Sequence, residues 1–232
     1  MKLHIFYKHY NISGYDGKQR PHWFDYEKCF QNLLETIKGE NDIELHVLYD
    51  GKIIEDNFIS NYKTEFTLHQ FYHGNARQSS LEAFRYIKKI TQNSQDTDLI
   101  YILENDYVHV KGWVGKIREL FNTYSNLNYV SLYDHNDKYF LPMYDNLASK
   151  IFTTPSHHWR TTPSTCGTYI TNKKIFLEDY QVPFDMPGDH NKFLWLAENK
   201  KRFVVTPIPG LSTHCMENLL SPTINWKNIL WK

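Results

Sequence analysis

The stretch Leu99-Ile100-Tyr101-Ile102-Leu103, followed at once by Glu104-Asn105-Asp106, decides the fold of this chain. A run of consecutive apolar and aromatic residues of this length predicts a buried strand. In open α/β sheets, ligands bind just beyond the carboxyl ends of the strands, so the two acids lie where such a sheet places its site. If the chain stays extended there, both carboxylates project to the same side and can hold a hard cation. A solvated turn with two surface acids is the alternative interpretation.

Outward from this strand, the apolar spacing alternates between the periods of strands and helices. It predicts strands at 3–7, 43–49, 64–72, 129–133, 168–171 and 203–208, and helices at 24–37, 80–91, 113–124, near 174 and at 189–200. Strands that alternate with helices are typical of βαβ units, which build a mostly parallel sheet. A long polar and aromatic stretch that ends near Pro163 contains no predicted element. The sequence therefore predicts one α/β domain over residues 1–232.

The composition excludes several classes of protein. The chain has 232 residues, with 26 Lys and Arg against 26 Asp and Glu, so its formal net charge is zero, and 41% of its residues are hydrophobic. These values exclude a disordered chain, and the lack of a basic excess argues against a dedicated nucleic-acid binder. Aromatic residues make up 16% of the chain. Such rings bind sugars and nucleobases, but they also fill ordinary cores.

Cysteine usage and the chain termini predict a compartment. The three cysteines, Cys29, Cys166 and Cys215, form no CxxC pair, so we expect neither a disulfide framework nor a structural zinc site. The N-terminal residues lack the apolar region of a signal peptide, and no apolar run approaches the length of a transmembrane helix. We therefore expect a cytoplasmic protein without a transmembrane segment. Residues 226–232 either pack onto the domain or make a peripheral membrane contact.

A second group of candidate residues lies in the last quarter of the chain. Asp189 follows Gly188 and begins the predicted helix over 189–200. Asp at this position is favoured as a helix cap, and it is also well placed to act as a general base beside a cleft. His214 falls in a predicted loop after the strand at 203–208.

Taken in order, these features resemble a GT-A-fold glycosyltransferase. The acid-x-acid motif ends a central strand, an acid begins a later helix, and a His follows the next strand. Residues 74–80 resemble the segment that contacts the nucleotide sugar, and residues 159–168 resemble the loop and strand that line the sugar pocket. The nearest resemblance is to small single-domain viral and bacterial surface-glycan transferases, including the chlorella-virus type. The motif departs from the family pattern because its first acid is Glu104 and its middle residue is Asn105.

The resemblance implies a fold and a set of roles. It implies a single GT-A-like (nucleotide-diphospho-sugar transferase) domain whose mixed, mostly parallel sheet is flanked by helices. Residues 1–110 would form the nucleotide-binding half and residues 111–232 the acceptor-binding half. Asp106, His214 and Glu104 would hold Mn²⁺ or Mg²⁺, and the imidazole ligand favours Mn²⁺. Asp189 would deprotonate the acceptor hydroxyl in a single, inverting displacement.

Further residues are assigned to the substrates by the same resemblance. The nucleotide-binding candidates are Tyr10, Asn11, Asp50, Arg77, Glu104 and Asn105. The candidates for the sugar and acceptor pocket are Trp159, Arg160, Thr165 and Gly188. Alternatives stay open for three of them, since Arg77 is equally a surface charge at a helix start, Asp50 a turn residue and Trp159 a core residue.

The predicted function is a metal-dependent, inverting glycosyltransferase that moves a sugar from a nucleoside-diphosphate sugar to a glycan or other hydroxyl acceptor. UDP is the expected nucleotide, with dTDP and GDP as alternatives. One competing function is a sugar nucleotidyltransferase, although residues 10–17 lack the Lys-Ser/Thr motif of a phosphate loop. The other is a non-catalytic carbohydrate-binding module, although such modules are generally all-β.

Overall fold

The computed structural model describes residues 1–10, 17–186 and 188–231. Within these ranges the strands are β1 (Leu3–Tyr10), β2 (Ile43–Asp50), β3 (Thr67–Phe71), β4 (Leu99–Glu104), β5 (Tyr107–His109), β6 (Tyr129–Val130), β7 (Ile151–Thr154), β8 (His157–Thr162), β9 (Tyr169–Asn172), β10 (Val204–Ile208) and β11 (Ser212–His214). The helices are α1 (Tyr26–Ile37), α2 (Ala76–Thr91), α3 (Trp113–Thr123), α4 (Lys173–Glu178), α5 (Val182–Asp185), α6 (Asp189–Lys200) and α7 (Trp226–Leu230). Short 3-10 helices cover Phe58–Tyr62, Asn136–Tyr139 and Pro142–Tyr144.

Nine of the described strands form one mixed sheet in the order β3-β2-β1-β4-β9-β6-β10-β8-β7. β1 pairs in parallel with β2 and β4, and β2 pairs in parallel with β3, so these four strands end at one edge. β9 is antiparallel to β4 and β6, β10 is parallel to β6, and the β7–β8 hairpin adds antiparallel to β10. The carboxyl edge of the parallel block carries Tyr10, Asp50 and Glu104.

Helices cover both faces of the sheet because its central strands are apolar on both faces. Every residue from Leu99 to Leu103 is buried. Leu99, Tyr101 and Leu103 belong to the core that includes α1 and α3. Ile100 and Ile102 belong to the core that includes α2, α4 and α6. The predicted α/β class, with a mixed and mostly parallel sheet between helices, is confirmed.

The helix starts follow their caps. Asp25 accepts a hydrogen bond from the backbone N–H of Lys28 and so begins α1. Asn75 accepts from the backbone N–H groups of Arg77 and Gln78, and α2 therefore begins at residue 76, one turn before the predicted residue 80.

Several predictions about the second half of the chain were wrong. The strand predicted at 129–133 covers only Tyr129–Val130. In the polar and aromatic stretch before Pro163 no element was assigned from the sequence, and the structure has the β7–β8 hairpin there. β5 and β11 were also missed, and they pair with each other as a separate two-stranded sheet. His214 therefore ends a strand and does not lie in a loop.

The C-terminal segment packs onto the rest of the chain. Trp226 and Leu230 of α7 are buried in a cluster with Cys29 and Cys215, and the indole N–H of Trp226 donates to the carbonyl of Ser221. Packing onto the domain is one of the two alternatives that the sequence left open for this segment. Within the described residues, no helix has both the length and the apolar character needed to cross a bilayer.

Candidate functional site

The Asp106 carboxylate is buried at the end of β4 and is surrounded by cationic and imidazole groups. Its Oδ2 lies 2.8 Å from the ammonium of Lys18, 2.9 Å from the guanidinium of Arg20 and 3.0 Å from Nε2 of His214. Burial alone would raise the pKa of Asp106, but His214, Lys18 and Arg20 outweigh it and hold that pKa well below its usual range. Asp106 is therefore an anion at neutral pH.

The small β5–β11 sheet places His214 beside Asp106. Tyr107, the residue after Asp106, pairs with His214 across the two strands. The two rings stack with their centroids 5.1 Å apart and their planes nearly parallel. The backbone N–H of Cys215 also donates to the carbonyl of Asp106. The structure thus brings together two of the predicted metal ligands, although 108 positions separate them.

Asn105, the middle residue of the motif, is buried and contacts His9. Its amide nitrogen donates to Nδ1 of His9 over 3.1 Å, and Nε2 of His9 in turn lies 2.9 Å from Oδ1 of Asn57. Burial lowers the pKa of His9 to about 4, so its imidazole is neutral at pH 7. Because the amide of Asn105 is engaged in this buried pair, the structure does not present it to a nucleotide as predicted.

The Glu104 carboxylate faces an open region together with Asp189. Its Oε1 lies 3.5 Å from the ammonium of Lys8, and its Oε2 accepts from the hydroxyl of Thr168. Gly167 lies between the two acids. A Cβ atom at this position would come within 3.0 Å of Oε1 of Glu104 and 3.4 Å of Oδ2 of Asp189. A larger side chain at position 167 would therefore press on both carboxylates.

Asp189 begins α6 and keeps part of its side chain open to solvent. The side chain is 42% exposed, and its Oδ1 lies 2.9 Å from the ammonium of Lys192, one helical turn later. Lys192 itself is buried, with its ammonium over the ring of Tyr169 at 5.1 Å. The preceding residue, Gly188, has a φ of 85°, a conformation that favours glycine and turns the chain into α6.

Two neighbouring cavities open at the carboxyl edge of the sheet. The larger has a volume of about 710 Å³ and the smaller about 300 Å³. Lys8, Ala76, Ser80 and Glu104 line both, so the cavities adjoin at Glu104. This arrangement matches the place where open α/β sheets bind ligands.

The chain was also compared with known proteins. No protein-family model and no curated protein matches it. Among solved structures, it is similar to a protein named as a nucleotide-diphospho-sugar transferase from Desulfovibrio desulfuricans G20, at 10% identity and a TM-score of 0.51, over 89% of this chain and 80% of that one. It is also similar to CMP:2-keto-3-deoxy-manno-octonic acid synthetase complexed with CTP, at 13% identity and a TM-score of 0.52, over 90% and 92% of the two chains. The fold is that of the nucleotide-diphospho-sugar transferases.

The structure places most predicted nucleotide-binding residues around these cavities. Tyr10 and Asp50 line the larger cavity, and Arg77 lines the smaller one. Asp50 is anchored because its Oδ1 accepts from the backbone N–H groups of His73 and Gly74. The guanidinium of Arg77 donates to the carbonyl of Phe184. The prediction for Asn11 lies outside the described residues.

Three predicted pocket residues do not line either cavity. Trp159 lies on β8 and is fully buried, and its indole N–H donates to Thr154, so its ring is not open to a sugar. Arg160 is buried in an ion pair with Asp134 at 2.8 Å. Thr165 is buried and donates to the hydroxyl of Ser131. The polar groups of Arg160 and Thr165 make internal contacts, whereas Gly188, also predicted to lie in the sugar and acceptor pocket, lines the smaller cavity.

Asp106 and His214 fit a divalent cation. They offer a carboxylate oxygen and an imidazole nitrogen side by side, a donor set that suits Mn²⁺. The buried Oδ1 of Asp106 has no hydrogen-bond partner within the described ranges, and a cation would satisfy it. Glu104 does not join them, because no group of three ligand atoms within 4.8 Å of one another forms here among the described residues. An ion would compete with Lys18 and Arg20 for Asp106.

Sequence reasoning assigned no role to several residues that shape the site. Lys18 and Arg20 lie in a loop, and no local pattern links them to Asp106. The contact of Lys192 with Asp189 could have been predicted from the sequence, because residues three apart on a helix are neighbours.

Proposed function

We propose that the protein is a glycosyltransferase that moves a sugar from a nucleoside-diphosphate sugar to a hydroxyl acceptor. One observation carries this proposal: the carboxylates of Glu104 and Asp189 approach each other across Gly167, where the smaller cavity adjoins the larger one. A transferase of this kind needs a compartment for the nucleotide and an adjacent one for the acceptor, with an acid in the second.

The larger cavity would bind the nucleoside diphosphate. Its volume is within the range of small-molecule sites. The partly exposed ring of Tyr10 offers a face for the base, and Oδ2 of Asp50 offers an acceptor for a base N–H group. The ammonium of Lys8, beside Glu104, would approach the diphosphate. UDP is the proposed nucleotide, with dTDP and GDP as alternatives to be tested.

Asp189 would act as the general base in the smaller cavity. Lys192 contacts Oδ1, while Oδ2 faces Gly167. The acceptor hydroxyl gives its proton to Asp189, and its oxygen forms a bond to the anomeric carbon. The bond from that carbon to the diphosphate breaks, and its electron pair leaves with the diphosphate. Attack opposite the leaving group inverts the anomeric configuration.

Asp106 and His214 would hold Mn²⁺ or Mg²⁺ close to the diphosphate. A bound ion would supply Lewis-acid neutralisation of the leaving group's charge. Arg20 fixes Asp106 to the chain after β11, because it bonds both Oδ2 of Asp106 and the carbonyl of Cys215. Arg20 therefore keeps the Asp106–His214 pair in place.

The test uses the full chain with a panel of UDP-, dTDP- and GDP-sugars, Mn²⁺ and a panel of glycan acceptors. Release of nucleoside diphosphate is measured with and without acceptor, and the anomeric configuration of the product is read by NMR. We expect transfer with inversion. Asp189→Asn should lower acceptor-dependent turnover by about 10²- to 10⁴-fold while the Kd for the donor stays unchanged.

The matched control is Glu198→Gln, which neutralises an exposed acid on the same helix, away from both cavities. It should retain wild-type turnover. If Asp189→Asn keeps most of its turnover, Asp189 is not the base. If the protein instead forms pyrophosphate from a nucleoside triphosphate and a sugar acid or sugar phosphate, it is a nucleotidyltransferase and the proposal is wrong.

A further inference from the structure

A cluster of metal-binding side chains lies on the face of the sheet covered by α2, towards the amino ends of β1 and β2. It consists of His4, Glu44 and His46, and one ligand atom from each residue lies within 4.8 Å of the other two. His4 and Glu44 are paired residues of the two strands. Among the described residues this is the single such group of three, and it lies at the opposite end of the strands from the candidate active site.

The ligand atoms converge on one oxygen of Glu44. Nδ1 of His4 lies 2.9 Å from Oε2 of Glu44, and Nε2 of His46 lies 3.8 Å from the same oxygen. Lys2 pairs with the other oxygen, Oε1. A cation bound between the two imidazoles and Oε2 would therefore leave the contact with Lys2 in place.

The imidazole of His46 is buried without a hydrogen-bond partner. The residue is 5% exposed, and neither of its ring nitrogens has a partner among the described residues. Its ring stacks on Phe6, with centroids 4.8 Å apart. A buried polar group of this kind costs free energy unless something satisfies it. A cation at the centre of the cluster would do so.

The side chains of His4 and Glu44 are also placed to bind a cation at the centre of the cluster. Nε2 of His4 lies 3.1 Å from the hydroxyl of Ser94, which leaves Nδ1 to face the cluster. Such a contact to the second ring nitrogen is what orients metal-binding histidines. Burial lowers the pKa of both histidines, so both imidazoles are neutral at pH 7. Glu44 is 40% exposed and leaves the cluster accessible from solvent.

We propose that His4, Glu44 and His46 form a Zn²⁺ site that ties β1 to β2. Two imidazole nitrogens and one carboxylate oxygen are ligands that Zn²⁺ prefers, and water would complete the tetrahedron. The site would stabilise the pairing of β1 with β2, since an ion that binds only the folded chain stabilises it.

The test titrates the full chain, first freed of metal with a chelator, with ZnCl₂. Nitrogen-15 resonances of the histidine side chains report which imidazoles bind, and competition with a zinc-binding dye gives the Kd. We expect the ring-nitrogen resonances of His4 and His46 to shift and to saturate at one equivalent. Glu44→Gln should weaken this site by more than about tenfold. Glu65→Gln, which changes an exposed acid elsewhere, should leave it within about twofold of wild type.

The histidine resonances of the wild-type protein test the site directly, so this part of the experiment does not depend on whether any variant folds. Zinc bound at the candidate active site would shift His214 instead, so the two sites are distinguished. If addition of zinc does not shift the ring-nitrogen resonances of His4 and His46, the proposal is overturned. The proposal would also be overturned if the Glu44→Gln variant bound zinc at His4 and His46 as tightly as the wild type does. Thermal unfolding of this variant shows that it is folded.

Discussion

The two acids of the motif at the end of β4, Glu104 and Asp106, are two residues apart, yet their surroundings differ completely. Asp106 is buried, and one of its oxygens contacts Lys18, Arg20 and His214. Glu104 is partly exposed and lines both cavities. The Asp106 side is thus a closed, charge-compensated centre, and the Glu104 side is an open one.

This difference shows how one short motif can serve two purposes. A carboxylate removed from water is stable only when opposite charges surround it, so the stability of Asp106 depends on two distant segments, the loop with Lys18 and Arg20 and the strand with His214. Glu104 and Asp189 are free of that requirement and can meet a substrate. We therefore expect changes at Asp106 to act first on stability, and changes around Glu104 to act on activity.

The largest expected effect is that of Asp106→Asn on stability. Loss of the charge leaves Lys18 and Arg20 without their shared anion in a site that is poorly accessible to water. The free energy of unfolding should fall by about 3 kcal/mol. Glu104→Gln, the matched change on the open side, should cost less than about 1 kcal/mol. Urea unfolding of both variants measures the difference, and equal losses would remove the distinction between the two sides.

The second prediction concerns His9, which contacts the residue between the two acids. Its pKa is 6.5 when unfolded and about 4 when folded, so the unfolded chain takes up a proton first as the pH falls. The stability that the neutral imidazole contributes is complete above pH 6.5 and is lost progressively down to pH 4. From pH 8 to pH 5 the loss from this group should be about 2 kcal/mol.

His9→Gln removes the titrating group and keeps a polar side chain at that position. The unfolding free energy of this variant should fall less steeply between pH 8 and pH 5 than that of the wild type. Identical slopes in urea titrations at several pH values would show that His9 is not a source of the pH dependence.

A smaller effect is expected from Gly167→Ala. The new methyl group would lie 3.0 Å from Glu104, so this carboxylate must shift by a few tenths of an ångström, and 3.4 Å from Asp189, which it would contact. We expect kcat/KM for transfer to fall about tenfold, which corresponds to about 1.4 kcal/mol. Gly115→Ala is the control, since its methyl group meets nothing within 4 Å and lies in α3. If both variants keep full activity, the close approach at Gly167 does not shape the site.

The smallest effect concerns competition at Asp106. Lys18→Met removes one of the charges that a cation must compete with, so the affinity for Mn²⁺ alone should rise about threefold. Lys63→Met removes an exposed lysine paired with Glu55 and should have no effect. Electron paramagnetic resonance of free Mn²⁺ gives both affinities. A weaker affinity in the Lys18 variant would show that Lys18 assists binding of the ion.

The sequence predicted the parallel block of the sheet well because its signals are local. β4 is a run of apolar residues, β1 is mostly apolar and aromatic, and β2 alternates apolar with polar residues, while α1 and α3 carry their apolar residues at helical spacing. The antiparallel half was harder. β8 contains His157, His158 and Arg160 and therefore shows no apolar run, although Arg160 is buried in its contact with Asp134. β5 and β11 are three residues each and exist only through pairing with each other.

The candidate site was predictable to a similar extent. The end of β4 and the start of α6 carry Asp106 and Asp189 in positions that local patterns define. Lys18 reaches Asp106 from 88 positions away, and no spacing rule connects two residues that meet only through the fold. The prediction that Trp159 lines a sugar pocket was wrong for a related reason, because tryptophan occurs both in sugar-binding sites and in hydrophobic cores.

The position of β9 governs how the chain could be divided. This strand comes late in the sequence but lies between β4 and β6, and it pairs antiparallel with each of them. Separated at residue 110, the first fragment would present the edge of β4 without a neighbour, an apolar strand edge that invites self-association. Residues 1–110 and 111–232, which the sequence predicts to be a nucleotide-binding and an acceptor-binding half, therefore do not form separate sheets. Fragments made apart should regain the sheet only when they are combined.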